Sequence, residues 1–217
     1  MNYIYIKKCD KVNLFLIIMQ KYSQKDKILL TLVEELAKNT SFKLALDITL
    51  KKFKISSNEK KKIFDQFKTE GLKLLNIELN KLVNKLLKEK KKPNNFKKFK
   101  INEKVNYFIV ERIRIIDNLV DIRRLFKINK KNKSLLNLFK ILFNISDEIW
   151  FLTGDKSTDF NFYSKRFILM NIYFLSIIYF SKNLDMKLLQ NFVDKQIKAV
   201  LLFGNFKRKL KNSFIPK

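Results

Sequence analysis

Between Glu148 and Arg166 the chain reads EIWFLTGDKSTDFNFYSKR, and the side chains that could do chemistry are concentrated there. The stretch holds the only Trp, Trp150, and one of three glycines, Gly154. Asp155, Ser157, Thr158, Asp159 and Asn161 follow between two apolar runs. Carboxylates, hydroxyls and an amide at this density could make an active site. The rest of the chain withholds the usual partners. There is no His in 217 residues, and Cys9 is the single Cys. A structural zinc site of Cys/His type and an internal disulfide are therefore excluded. The commonest general base at neutral pH is also missing, which leaves carboxylates, Lys or Tyr for any catalysis. A di-iron site would want His beside Glu. Carboxylates such as Glu111 and Asp117 are the only support for an enzyme, and the expectation is a protein with no catalytic residue, metal or cofactor.

A structural use of the cluster explains its residue types. Gly154 suits the left-handed position that ends a helix. Ser157 or Thr158 would cap the next one, and Asp159 in its first turn would meet the positive end of the helix dipole. Asp159, Tyr163 and Arg166 are four and three apart and share one helix face. A carboxylate, a phenol and a guanidinium there would form a buried network that fixes how the two helices pack.

The elements around this segment read as helices throughout. Gly and Pro number three and two, too few for the tight turns that hairpins use. No strand alternation and no internal repeat stand out. Ser23 and Asp26 have capping-box spacing, followed by Ile28, Leu29, Leu32, Val33 and Leu36. A second helix is expected over about 42–53, with Phe42, Leu46, Leu50 and Phe53 on one side. Ser56 and Glu59 open a short third helix burying Ile63, Phe64 and Phe67. Gly71 then precedes a longer helix with Leu75, Leu79, Leu82 and Leu86 as its stripe. Lys88 to Lys100, with Pro93, reads as a solvated loop. Residues 101–126 read as one or two helices, where Glu111, Asp117 and Asp121 can offset Lys104, Arg112, Arg114, Arg123 and Arg124 as structural ion pairs. Ser134 is expected to cap a helix carrying Leu135, Leu138, Leu142, Ile145, Ile149 and Leu152 and ending at Gly154. A helix from about Thr158 to Phe180 is apolar nearly all round, so it needs more than one partner surface. A last helix covers about 184–203, before a basic tail.

The net charge is +27 and the pI about 10. Of 47 basic residues, six are Arg and the other 41 Lys. Nucleic-acid readers lean on Arg for bidentate contacts. The Lys excess, with many Ile, Asn and Phe, is what an AT-rich coding sequence would give. The field it creates would still attract anionic lipid or nucleic acid. No stretch reaches the roughly 18 apolar residues of a membrane span. Val12 to Met19 is a weak apolar run without a small-residue cleavage site.

With these residues in view, Glu148 to Arg166 resembles the signature of the Coq-nine family of ubiquinone-biosynthesis proteins. That family carries a Trp, then GD-x-STD-x-N, an aromatic, Tyr and a basic pair. The match here runs ungapped through Trp150, Gly154, Asp155, Ser157, Thr158, Asp159, Asn161, Phe162, Tyr163, Lys165 and Arg166. A weaker resemblance extends over residues 23–211. It implies an all-α, TetR-like helical bundle with a degenerate N-terminal helix-turn-helix. The domains expected are an extension at 1–22, a helix-turn-helix-like segment at 23–70, a lipid-binding domain at 71–211 and a tail at 212–217.

What the resemblance implies for function is a non-catalytic lipid carrier. It would hold an isoprenoid or quinone intermediate in an apolar pocket at the membrane surface and present it to the demethoxyubiquinone hydroxylase. Phe167, Met170, Phe174, Leu175 and Ile178 are the expected lipid-binding residues, and Trp150 and Phe151 the expected partner-facing pair. A homodimer through the last helices is expected, and nucleic acid is not. No counterpart of the separate C-terminal amphipathic helix of some family members is expected, and Lys207, Arg208 and Lys209 would supply a substitute electrostatic contact with the membrane. The expected location is cytoplasmic, peripheral to the inner membrane, with the mitochondrial matrix as alternative. The competing reading is a TetR-like DNA-binding regulator. Against it, the candidate recognition helix after Ser56 lacks Arg for guanine readout.

Overall fold

A computed structural model describes residues 22–38, 41–129 and 135–213, with backbone alone at 60, 64, 66–70, 135, 159, 160 and 204–213. Cys9, the Val12–Met19 run, Ser134 and the last four residues lie outside the described set, as do the side chains of Phe64, Phe67, Asp159, Lys207, Arg208 and Lys209. Among the described residues there is no strand. The helices are α1 (Gln24–Ala37), α2 (Phe42–Lys52), α3 (Ser57–Glu89), α4 (Ile101–Leu119), α5 (Ile122–Asn129), α6 (Leu135–Thr153), α7 (Asp159–Asn183) and α8 (Met186–Ser213), with one 3₁₀ turn at Phe96–Lys98. This is the all-α class expected.

The chain divides into two units, one of residues 1–82 and 116–133, the other of 83–115 and 134–217. α3 is continuous for 33 residues, and the separate third helix expected after Ser56 is its first part.

In the first unit the caps are those the spacing predicts. Ser23 Oγ accepts from the Asp26 amide at 3.2 Å, and Ser56 Oγ accepts from the Glu59 amide at 3.3 Å. Leu29, Leu30, Leu32, Val33 and Leu36 of α1 are buried and α1 packs on α2, which brings Ala45, Leu46 and Leu50. Burying each large side chain contributes about 1.5–3 kcal/mol. Glu35, itself buried, ties the two helices by accepting from Lys38 at 2.8 Å and Lys52 at 2.7 Å. Asn76 of α3 and Asn129 of α5 exchange amide hydrogen bonds of 2.7 and 3.3 Å.

Gly71 breaks nothing in this unit. A Cβ there would stand 2.6 Å from the Phe42 ring, so the residue is a gap in α3 that the ring fills. Gly71→Leu is expected to cost about 1–3 kcal/mol through overpacking. Gly71→Ala should cost less, because the better helix propensity of Ala returns about 1 kcal/mol while the ring tip moves aside. Urea midpoints of the two variants check the order. A neutral Leu variant would remove the close approach as the reason for the glycine.

The second unit is built from the end of α3, most of α4, and α6 to α8. α7 packs on α6 and on α8. Val105, Phe108, Ile109, Ile113, Ile145, Ile149, Leu169, Phe180, Leu189 and Val193 are buried. Tyr179 and Phe192 stack 4.2 Å apart at 8° across α7 and α8. The Lys-rich connection after α3 is only partly a solvated loop. Phe96 is buried in it, edge-on to Tyr107 and Phe108 of α4, and Lys90 pairs with the buried Glu111, while its other lysines stay outside. α4 and α5 are two helices, separated where Asp121 accepts from the Arg123 amide at 2.9 Å. α7 ends at Leu184 in a left-handed conformation (φ 53°), and α8 then runs ten residues beyond the expected end at 203. No helix is long and apolar enough to cross a membrane among the described residues.

Candidate functional site: the α6–α7 corner and the polar core behind it

α6 ends as its last residues dictate. The Gly154 amide donates to the Phe151 carbonyl at 3.0 Å and the Asp155 amide to the Trp150 carbonyl at 3.1 Å. Gly154 has φ 84°. This is the Schellman arrangement, in which a glycine takes the left-handed position and the last carbonyls of the helix are satisfied. The turn directs Asp155 back toward α7. Thr158 takes the N-cap position of α7 with extended backbone (φ −118°, ψ 177°), while Ser157 turns its hydroxyl to the Asp155 carboxylate.

The corner is closed by two adjacent cations of α7. Lys165 donates to Asp155 Oδ1 at 2.7 Å. Arg166 donates through Nε to Asp147 of α6 at 2.6 Å, and through Nη1 to the Phe162 carbonyl at 3.1 Å and to Asp155 Oδ2 at 3.5 Å. Its guanidinium also lies 3.3 Å from the centroid of the Phe162 ring. The side chains of Arg166 and Asp155 are each 6 % exposed. Burial works to raise the Asp155 pKa, but Lys165 and Ser157 prevail, and the carboxyl is held below the ordinary Asp value of 3.8.

A network that fixes the packing of the two helices is therefore present, with members that differ from those the helix face predicts. Among the described side chains its carboxylates come from α6 and the turn. Tyr163 points outward, 64 % exposed, and Asn161 is exposed as well. The partners of Arg166 lie up to 19 residues back in sequence, so same-face spacing along α7 carries no sign of them.

The expected pair Trp150 and Phe151 splits. Trp150 is half-buried, and its indole Nε1 donates to the Lys165 carbonyl at 3.1 Å with the Lys165 ammonium 5.3 Å from the ring. It is a clamp across the corner. Phe151 is 68 % exposed, with Lys88 Nζ 5.9 Å from its ring. The five expected lipid residues fall on an arc of α7 that is mostly uncovered. Phe167 and Leu175 are exposed beside Tyr163 and Ile168, Phe174 and Ile178 are half-buried, and Met170 is buried at the edge. This face of α7 is an open surface.

Behind the corner lies a second polar set that the sequence reading passed over as local ion pairs. Arg114 pairs with Glu111, and Arg123 with Asp121, as expected. Arg112 does not follow the pattern. It is 1 % exposed, and its Nη1 donates to Asn84 of α3. Tyr173 of α7, also 1 % exposed, and Glu148 of α6 act on the same guanidinium. Glu148 is bound at 2.8 Å by the half-exposed Lys88. Burial draws the Arg112 pKa down, and Tyr173 and Glu148 oppose it. Burial raises the Tyr173 pKa, and the guanidinium opposes it. The Tyr173 hydroxyl thus has the Arg112 guanidinium as its hydrogen-bonding neighbour. The scarcity of Arg was a usable signal for this set. Of six, only Arg112 and Arg166 are buried among the described residues.

Neither set assembles a metal site: no group of three or more Cys, His, Asp or Glu side chains is placed to hold an ion among the described residues. No curated protein matches the chain. Residues 136–204, which run from α6 into α8 and contain the whole corner, match the COQ9 family model.

Proposed function

We propose that the chain is a non-catalytic lipid carrier of ubiquinone biosynthesis. The match of residues 136–204 to the COQ9 family model supports a place in ubiquinone biosynthesis. In this reading the second unit holds an isoprenoid quinone intermediate and presents it, at the membrane surface, to the demethoxyubiquinone hydroxylase. The observation that carries the reading is the open arc of α7. Tyr163, Phe167, Ile168 and Leu175 are exposed together inside the COQ9-matching segment, with Phe174 and Ile178 beside them. Each large apolar side chain left in water forgoes about 1.5–3 kcal/mol of burial, and contiguous apolar surface of this kind marks a binding site. An isoprenoid tail matches it in shape and polarity. A second copy of the chain would cover the same arc in a homodimer, as the resemblance implies. The +27 charge draws the protein to anionic bilayers.

Native mass spectrometry of the chain purified from a ubiquinone-producing host tests this. The expected spectrum shows a bound isoprenoid quinone or precursor that is released on collisional activation. A spectrum with apo protein only would sink the reading. The same spectrum counts protomers.

A further inference from the structure

Resting on the reading of a carrier that works at a membrane, we propose that the α3–α4 connection and the turn between α7 and α8 form one docking surface for an anionic phospholipid bilayer. The lysines of this end meet lipid phosphates, and two aliphatic side chains enter the layer beneath them.

Lys90 to Lys100 holds six lysines in eleven residues and no carboxylate. Of the six, only Lys90 pairs with a carboxylate, Glu111, among the described residues. Lys91, Lys92, Lys97, Lys98 and Lys100 are exposed. Phe96 is buried among Tyr107 and Phe108 and pins the connection to α4. The lysines are therefore presented by a fixed backbone, which lowers the ordering cost of binding.

Asn106 of α4 donates to the Gln190 carbonyl of α8 at 3.4 Å, so the first turns of α4 and α8 lie side by side. Exposed Lys182 and Lys187, on either side of the α7–α8 turn, extend the basic surface. Two carboxylates of this end are turned to helix starts. Glu103 accepts from the Lys100 amide at 2.7 Å, and Asp185 from the Lys187 and Leu188 amides at 2.7 and 3.1 Å. Glu89 at the end of α3 is a third, and the seven exposed lysines outnumber all three.

Charge alone would suit any polyanion, and the apolar residues select among them. Ile101 follows Lys100 directly and is 60 % exposed; Leu188 follows Lys187 and is 46 % exposed. A nucleic-acid backbone gives these side chains nothing, whereas a bilayer takes ammonium groups at its phosphates and aliphatic groups below them. Phe96 faces inward, where it cannot stack on a base, and the connection holds no Arg.

The test sediments the full-length chain with vesicles of phosphatidylcholine containing about a third phosphatidylglycerol, at about 0.1 M salt. Wild-type protein is expected to bind these at least about tenfold more strongly than vesicles of phosphatidylcholine alone. Changing Lys91, Lys92, Lys97 and Lys98 together to Gln should weaken binding about thirtyfold or more, since each Lys near an anionic surface contributes about fivefold. Changing four exposed lysines of the first unit, Lys43, Lys54, Lys61 and Lys62, to Gln removes the same charge and should weaken it less than about threefold. Ile101→Ser with Leu188→Ser should weaken it about tenfold. Equal losses in the two lysine sets would make the attraction one of net charge and overturn the surface. Unchanged binding in the Ile101 and Leu188 variant overturns the bilayer as partner, as does displacement of wild type from the vesicles by duplex DNA at equal phosphate concentration. Wild-type protein that stays in the supernatant, yet carries a lipid in the native mass spectrum, overturns the docking and leaves the carrier reading standing.

Discussion

Arg166→Met should destabilise the second unit by about 3–5 kcal/mol, the cost of removing one partner from a buried charge set. Arg166 is one group with four jobs: it holds Asp147, Asp155 and the Phe162 carbonyl, and covers the Phe162 ring. Its loss leaves Asp155, buried, with Lys165 and Ser157 alone. Arg166→Lys should recover only a part, since one ammonium point charge cannot reproduce the planar fork that spans α6 and the turn. Chemical denaturation at neutral pH gives the size. The pH dependence gives the cause. Asp155 is held below 3.8, so its contribution is complete above that value and is lost as the pH falls through the folded pKa. The stability difference between wild type and Asp155→Asn should therefore be largest near neutrality and shrink below about pH 3.8. A difference that stays constant into acid would mean that the pair acts by shape and not by charge.

The second large effect separates two neighbours. Trp150→Ala should cost about 2–4 kcal/mol, because it deletes a half-buried indole, its hydrogen bond to the Lys165 carbonyl and the cation–π contact with Lys165. Phe151→Ala should change stability by no more than about 0.5 kcal/mol, as exposed substitutions do. If the corner meets the hydroxylase, the effects on binding reverse. Phe151→Ala should weaken association about tenfold or more, since exposed aromatics of this kind form interface hot spots. Paired thermal melts and titration with purified hydroxylase decide it. A Phe151 variant that binds normally would remove this face from the proposed contact, and a Trp150 variant that melts like wild type would remove the clamp.

The difference between these neighbours shows where sequence reading stopped. Trp150 and Phe151 sit side by side at the end of an amphipathic helix, and both look like handles. Which one is a clamp depends on the Lys165 carbonyl lying across the corner, a fact that belongs to α7. Gly71 is the same kind of case. Its residue type reads as a break, yet α3 runs through it because Phe42 occupies the space where a Cβ would be. Local spacing had no access to that ring. The expected lipid residues come from the family resemblance, on a helix that reads as apolar nearly all round, and the packing of α6 and α8 against it decided which side stays open.

By itself the sequence determined what is closed within a few residues or by composition. The all-helical class followed from scarce Gly and Pro and from helical periodicity. The Ser23–Asp26 and Ser56–Glu59 caps and the stop at Gly154 depend on backbone groups within one turn, and they appear where the residue types put them. The unusual corner was legible as a cluster, and so was its resemblance to the COQ9 family, whose model matches residues 136–204. The tertiary structure alone decided what lies across from each side chain: Asp147 and Asp155 for Arg166, a backbone carbonyl for Trp150, a phenol and an amide for Arg112. Those choices are made between helices, at sequence separations up to about sixty residues. There the energy of a charge or a hydroxyl depends on burial and on its opposite number, and neither is written in local spacing.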